Sequence, residues 1–92
     1  MIDGHSFDSK KESKRYEKLK EMQQAGLISG LRLQVSFKLE VSGHLICRYR
    51  ADFAYVQGNR RIIEDVKGMK TPVYELKRKL MLAIHGIEIR ET

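Results

Sequence analysis

The chain has a single cysteine, Cys47, which excludes an internal disulfide and any multi-cysteine zinc site. Cys47 sits in a strand pattern with no His or Asp placed to activate it, so it reads as a structural thiol. No run approaches the ~18 apolar residues of a membrane span, and the opening Met-Ile-Asp-Gly-His carries no apolar signal region. A cytoplasmic protein with no membrane contact is expected. The three histidines, His5, His44 and His85, are scattered at loop or helix ends, which disfavours a histidine-based catalytic mechanism or zinc site. Linkers, internal repeats and low-complexity segments are also lacking.

What is present suits one small globular domain spanning residues 1–92. Hydrophobic residues make up 41% and charged residues 33%, too apolar for a disordered chain. A chain this short buries roughly 60–65% of its unfolded surface, which allows one modest core. The net charge of +6 points to an anionic partner, nucleic acid before anionic membrane.

Periodicity gives the element order. A first helix is expected over Phe7–Gly26, with Ser9 as N-cap and Glu12 as its capping-box partner. Tyr16, Leu19 and Met22 form its apolar stripe, and Lys10, Lys14, Lys18 and Glu21 its solvated face. Glu12 lies on the edge of that stripe, an odd place for a solvated acid. Leu31–Val41 alternates as a strand with Leu33, Val35, Phe37 and Leu39 inward. The next strand, about Leu45–Val56, presents Leu45, Cys47, Tyr49, Ala51, Phe53 and Tyr55 on one face. A three-residue turn, Ser42-Gly43-His44, sets Phe37 opposite Tyr49 and Val35 opposite Ala51, and places Gln34 opposite Asp52. A two-residue turn would oppose Phe37 to Arg48 instead. A third strand ends at Gly68. Thr71 and Pro72 then open a second helix with Val73, Leu76, Leu80, Ala83 and Ile84 as its apolar face. Ile87-Glu88-Ile89 completes the order α-β-β-β-α-β as a short last strand.

The chemistry concentrates between Tyr49 and Gly68. Asp52 lies between Ala51 and Phe53 in a strand rich in apolar residues, where an unpaired carboxylate is costly. If the Gly58-Asn59 turn is two residues long, Gln57 pairs with Arg60 and Asp52 falls opposite Asp65, with Lys67 on the same face. A turn one residue longer would bring Glu64 opposite Asp52; otherwise Glu64 alternates to the other face and takes no part. Two opposed carboxylates suit a hard divalent cation that keeps several waters, such as Mg²⁺. In phosphodiester hydrolysis such an ion polarises the phosphoryl group and acidifies a bound water, while a lysine moves a proton or stabilises charge.

Asp52, twelve residues, then Asp65-Val66-Lys67 resembles the D…(D/E)-x-K signature of the PD-(D/E)xK nucleases, with Ala51 in place of the signature proline. More narrowly, D-G-H-S-F-D-S-K-K-E at Asp3–Glu12, A-D-F at Ala51–Phe53 and E-D-V-K-G at Glu64–Gly68 resemble small phage-encoded endonuclease-like proteins related to Holliday-junction resolvases. The resemblance implies a restriction-endonuclease-like core, a mixed four-stranded sheet flanked by two helices. It implies Glu12, Asp52, Asp65 and the Val66 carbonyl as Mg²⁺ ligands, with Mn²⁺ as a substitute, and Lys67 as the catalytic lysine. Gln34 is a candidate neighbour, on the strength of the first hairpin's register. Arg48, Arg50, Lys70, Lys77 and Arg78 are candidate DNA contacts, with a solvated helix face as the plain alternative for those on the second helix. Tyr16, Tyr49, Tyr55 and Tyr74 sit in apolar patterns and read as core rather than as base-stacking residues. The implied activity is metal-dependent cleavage of branched DNA by a homodimer, as in DNA recombination, by a phage or prophage protein. The alternatives are a non-catalytic basic DNA-binding module, or a nickase or nuclease of linear or single-stranded DNA.

Overall fold

Gly58 and Asn59 form a two-residue turn, with Gly58 at φ 63°, and the strands on either side pair in the register this turn imposes, Gln57 with Arg60 through to Phe53 with Glu64. A computed structural model describes Gly4, Phe7 and residues 9–92; Asp3, His5 and Asp8, named above, lie outside the described residues. The elements are α1 (Lys10–Gln24), β1 (Ser29–Val41), β2 (His44–Gln57), β3 (Arg60–Asp65), α2 (Pro72–His85) and β4 (Arg90–Glu91). They build an α/β fold whose four-stranded sheet runs β1-β2-β3-β4, antiparallel except for the parallel β3–β4 pair.

Both helix starts follow local chemistry. The Ser9 hydroxyl accepts the Glu12 amide, and the Thr71 hydroxyl accepts the Tyr74 amide with Pro72 just inside the helix. α1 is shorter than the Phe7–Gly26 expectation because it begins at its cap and ends at Gln24. The last strand lies at Arg90–Glu91 rather than Ile87–Ile89, where Glu64 and Asp65 offer it a partner edge. On α2, Tyr74 and Met81 are the buried residues; of the expected apolar face, Leu80 and Ile84 pack against the core, whereas Val73, Leu76 and Ala83 are exposed. The covered face thus overlaps the expected one and is rotated from it by about one residue.

The first hairpin reaches its expected pairing by another route. Its turn is the two residues Ser42-Gly43, and a bulge between Leu39 and Glu40 restores Phe37 opposite Tyr49 and Val35 opposite Ala51. One extra residue in β2, Ile46, does what a third turn residue would have done.

The expectation of one inward face on each long strand is corrected. Leu31 and Leu33 pack with Tyr16 and Leu19 of α1, while Val35, Phe37 and Leu39 pack with Tyr74 and Met81 of α2. In β2 likewise, Tyr49 and Ala51 join the α2 cluster and Phe53 and Tyr55 the α1 cluster, with Ala54 between them on the α2 side. The face changes across Gln34 in β1 and across Asp52 in β2. Gln34 has φ 55°, a left-handed conformation that breaks the two-residue alternation. The two helices therefore cover different stretches of the sheet, on opposite faces, and the break falls at two candidate site residues.

A buried ion pair fixes α1 against the sheet. Arg15 grips Glu64 with two bonds, Nε to Oε2 at 2.7 Å and Nη2 to Oε1 at 2.9 Å, and the Glu64 side chain is wholly buried. Tyr55 and Thr92 donate to the same carboxylate. Breaking such a pair leaves an uncompensated charge, which costs about 3 kcal/mol or more. Arg15→Ala should lower the melting temperature by about 10–20 °C in thermal unfolding, and Arg15→Met with Glu64→Leu should recover part of that loss. A single variant melting within a degree or two of the parent would remove this pair from the framework.

Candidate functional site

Glu12 enters the site from the first turn of α1, Gln34 from β1, Asp52 from β2, and Asp65 with the following Val66 and Lys67 from the end of β3. One step beyond the last ladder pair, Phe53 with Glu64, the register brings Asp52 and Asp65 together. Asp52 Oδ2 accepts the Val66 amide at 2.9 Å, which ties β2 to the chain just past β3. Asp65 is buried, accepts a short hydrogen bond from the Tyr49 hydroxyl, and has the Lys67 Nζ 3.2 Å from its Oδ2. Lys67 also lies 4.0 Å from the centroid of the Tyr74 ring, so an aromatic face and a carboxylate together fix the ammonium. The Lys67 amide donates to Thr92, and its carbonyl accepts from Lys11.

Burial pushes the Asp52 carboxyl up to about 7. A hydrogen bond with Asp65 and the charges of Asp65 and Glu12 add to the rise, and the Val66 amide opposes it. Asp52 therefore keeps a proton to higher pH than an ordinary carboxyl unless another cation takes its place. Burial pushes the Tyr49 hydroxyl up, as does its bond to Asp65. Tyr49 therefore remains a neutral donor. Glu12 is buried, and its Oε1 accepts from Gln34 Nε2 at 3.0 Å. The Ser9 half of the expected capping box is formed, while the Glu12 carboxylate reaches toward the sheet.

The arrangement brings together Glu12, Gln34, Asp52, Asp65 and Lys67. The contact found for Val66 is through its amide. Among the described residues, no three His, Cys, Asp or Glu side chains stand as a group able to cage a metal. A pair of hard oxygen donors, one of them with a raised proton affinity, nonetheless fits a hydrated Mg²⁺, which binds through one or two carboxylates and keeps waters for the rest.

The expected DNA contacts are not equivalent. Lys70 pairs with Glu91 at 3.1 Å and Arg78 with Glu75 at 2.8 Å, so both have acidic partners, and Lys77 is half-buried. Arg48 and Arg50 are exposed, and no acidic partner is found for them among the described residues. All four tyrosines are buried, as their apolar patterns indicated. Sequence reasoning missed Glu64 and Tyr49. Glu64 lies on the other face, as expected, but it is the anchor of α1. Its signal would have been an acid in the run Ile62-Ile63-Glu64-Asp65, where nothing polar should be buried without a partner.

The fold and site together define a small α/β protein with a carboxylate pair and a lysine at the end of a β-hairpin. The chain belongs to the family described as protein of unknown function (DUF1064), whose model matches residues 1–91. No curated protein and no solved structure matches it. Among the described residues, no helix is long and apolar enough to cross a membrane.

The raised carboxyl of Asp52 has a signed consequence. Between about 4 and about 7 the folded state holds a proton that the unfolded state has released, so this group's contribution to stability falls as pH rises through that window. Asp52→Asn removes the effect. In EDTA the variant should melt near the parent at pH 5 and several degrees above it at pH 8. A difference that does not change with pH would place that proton elsewhere than on Asp52.

Proposed function

We propose that this protein is a Mg²⁺-dependent DNA endonuclease of the PD-(D/E)xK type acting on branched DNA. The observation that carries the reading is the apposition of Asp52 and Asp65 with the Lys67 ammonium held on Asp65. It is supported by the matching sequence signature, by the α-β-β-β-α-β order and by the position of Glu12 beside Gln34. Asp52 and Asp65 would hold the ion, with Glu12 contributing through its shell. When bound, Mg²⁺ supplies charge to polarise the phosphoryl group and acidify water in its shell.

The chain's own residues do the rest. Tyr49 and the Val66 amide orient the two carboxylates, Tyr49 by donating to Asp65 and Val66 by donating to Asp52. Lys67, steered by the Tyr74 ring and Asp65, places a positive charge where negative charge develops on the phosphoryl oxygens. Selectivity for junctions, and the homodimer that two coordinated cuts require, rest on the resemblance. Val73 and Leu76 leave apolar surface on α2 that such a dimer could bury.

The second reading is a non-cleaving DNA-binding module on the same fold. It is favoured by the raised proton affinity of Asp52, which relieves its repulsion with Asp65 without a metal ion.

Labelled four-way junction, flap, linear duplex and single strand, incubated with Mg²⁺ or EDTA, separate the two. The parent should cut the junction with Mg²⁺ or Mn²⁺ only. Asp52→Asn and Asp65→Asn should abolish cutting, and Lys67→Ala should slow it by about 10²–10⁴-fold. Mg²⁺ at pH 8 should also raise the parent's melting temperature but not that of Asp52→Asn. Cutting in EDTA, or full activity in these variants, would overturn the mechanism; binding without cutting of any substrate would favour the module.

A further inference from the structure

β1 and β2 are far longer than the rest of the sheet. β3 pairs with β2 only from Phe53 to Gln57, so among the described residues β2 from His44 to Ala51 has β1 as its one strand partner. One face of this two-stranded ribbon is covered by α2: Phe37, Leu39, Tyr49 and Ala51 pack there, and His85 reaches the Lys38 carbonyl at 2.7 Å. The other face is open. On it stand Ser36 opposite Arg50 and Lys38 opposite Arg48, all exposed. Among the described residues none of the three cations has an acidic partner.

Like charges set directly opposite on a sheet, with Cβ atoms ~4.5–5.5 Å apart, are destabilising. Lys38 facing Arg48, with Arg50 only ~7 Å further along the strand, is therefore a cost that an anion on the ribbon would relieve. The strip begins two residues from Gln34 and Asp52, so it runs straight out from the carboxylate pair. A two-stranded ribbon also has the width that the major groove of a duplex admits.

We propose that the open face of the β1–β2 ribbon, through Lys38, Arg48 and Arg50, is the surface that grips the phosphate backbone of duplex DNA. This deepens the nuclease reading by naming where a duplex arm of the substrate lies, and binding can be measured without cleavage. An anionic membrane is the other partner with suitable charge. The tip disfavours it, because the exposed Val41, Leu45 and Ile46 would enter first and carry Glu40, the partner of Leu45, with them.

The experiment measures binding of a labelled duplex in EDTA across a salt series. Lys38→Gln/Arg48→Gln/Arg50→Gln should weaken binding at least ~10-fold and lower the slope of log K against log salt by about 2–3, near 0.9 for each phosphate no longer neutralised. Lys38→Arg/Arg48→Lys/Arg50→Lys keeps the charges and should keep the slope. Lys10→Gln/Lys14→Gln/Lys18→Gln removes the same charge from the outer face of α1 and should leave most of it. A triple ribbon variant that folds like the parent yet keeps its slope overturns the proposal, as does a parent that binds no duplex. Binding to phosphatidylserine vesicles, rather than to duplex, that depends on the same three residues also overturns it. Parent protein that binds through the ribbon but cuts nothing with Mg²⁺ leaves this inference standing and removes the nuclease reading. Cutting with an unchanged slope does the reverse.

Discussion

Two carboxylates are forced into one another's company by a hairpin register, and much of the surrounding structure serves to hold them there. Asp52 and Asp65 repel when both are charged, and that repulsion would be relieved if either strand end swung away. The register denies that escape, because a two-residue turn at Gly58-Asn59 counts back to this opposition. Three further restraints close the remaining freedom. The Val66 amide binds Asp52, the Tyr49 hydroxyl binds Asp65, and Thr92 exchanges backbone hydrogen bonds with Asp65 and Lys67. The neighbouring Glu64, pointing the opposite way, is locked by Arg15. Consecutive acids at the end of one short strand thus do opposite jobs: Glu64 neutralises Arg15 in the core, and Asp65 holds the Lys67 ammonium beside Asp52.

The break in alternation at Gln34 and Asp52 gives the site its place. A regular sheet would put Leu33 and Val35 on one face, and a single core beneath it. Here the faces exchange across these two positions, so α1 covers one end of the long strands and α2 the other, on opposite sides. A left-handed glutamine is a strained residue, with a cost on the order of 1 kcal/mol or more, and it is stabilised here by its bond to Glu12. Strain, buried acid and carboxylate pair fall together, a concentration that structural needs alone do not demand.

How much of this could be read from the residues depends on whether a local signal existed. Asp52 opposite Asp65 was legible because turn residues announce themselves and pairing is a matter of counting. Glu12 was legible as an acid on an apolar edge. The first hairpin's pairing was legible from matching faces even though the turn is shorter than expected, because a bulge can substitute for a turn residue and apolar pattern constrains the sum of the two. Glu64 was not legible as an anchor: its partner is Arg15, forty-nine residues away, and an arginine in a lysine-rich helix looks like any solvated cation. The face exchange was hidden because an alternating pattern is unchanged when both paired strands flip at the same rung. The rotation of α2 was hidden for a related reason, since Val73 and Leu76 are as apolar as the Tyr74 and Met81 that win the core.

Charge distribution then constrains how the proposed function can work. Three acids, Glu12, Asp52 and Asp65, gather in a chain whose net charge is +6. A phosphodiester approaching that cluster is repelled at short range, so affinity for DNA has to arise elsewhere and chemistry has to wait for a cation. The two long strands meet both needs in sequence along their length. Beyond Gln34 and Asp52 they carry Lys38, Arg48 and Arg50 on an open face, and at that rung they carry the Asp52 carboxylate. Because the same pair of strands spans both, the spacing between a backbone held on the ribbon and a phosphate at the acids would be set by sheet geometry rather than by a flexible loop. A rigid offset of this kind would fix where a cut falls relative to the grip on linear and branched duplex alike, and it gives a physical reason for a carboxylate site to sit at the root of a cationic ribbon.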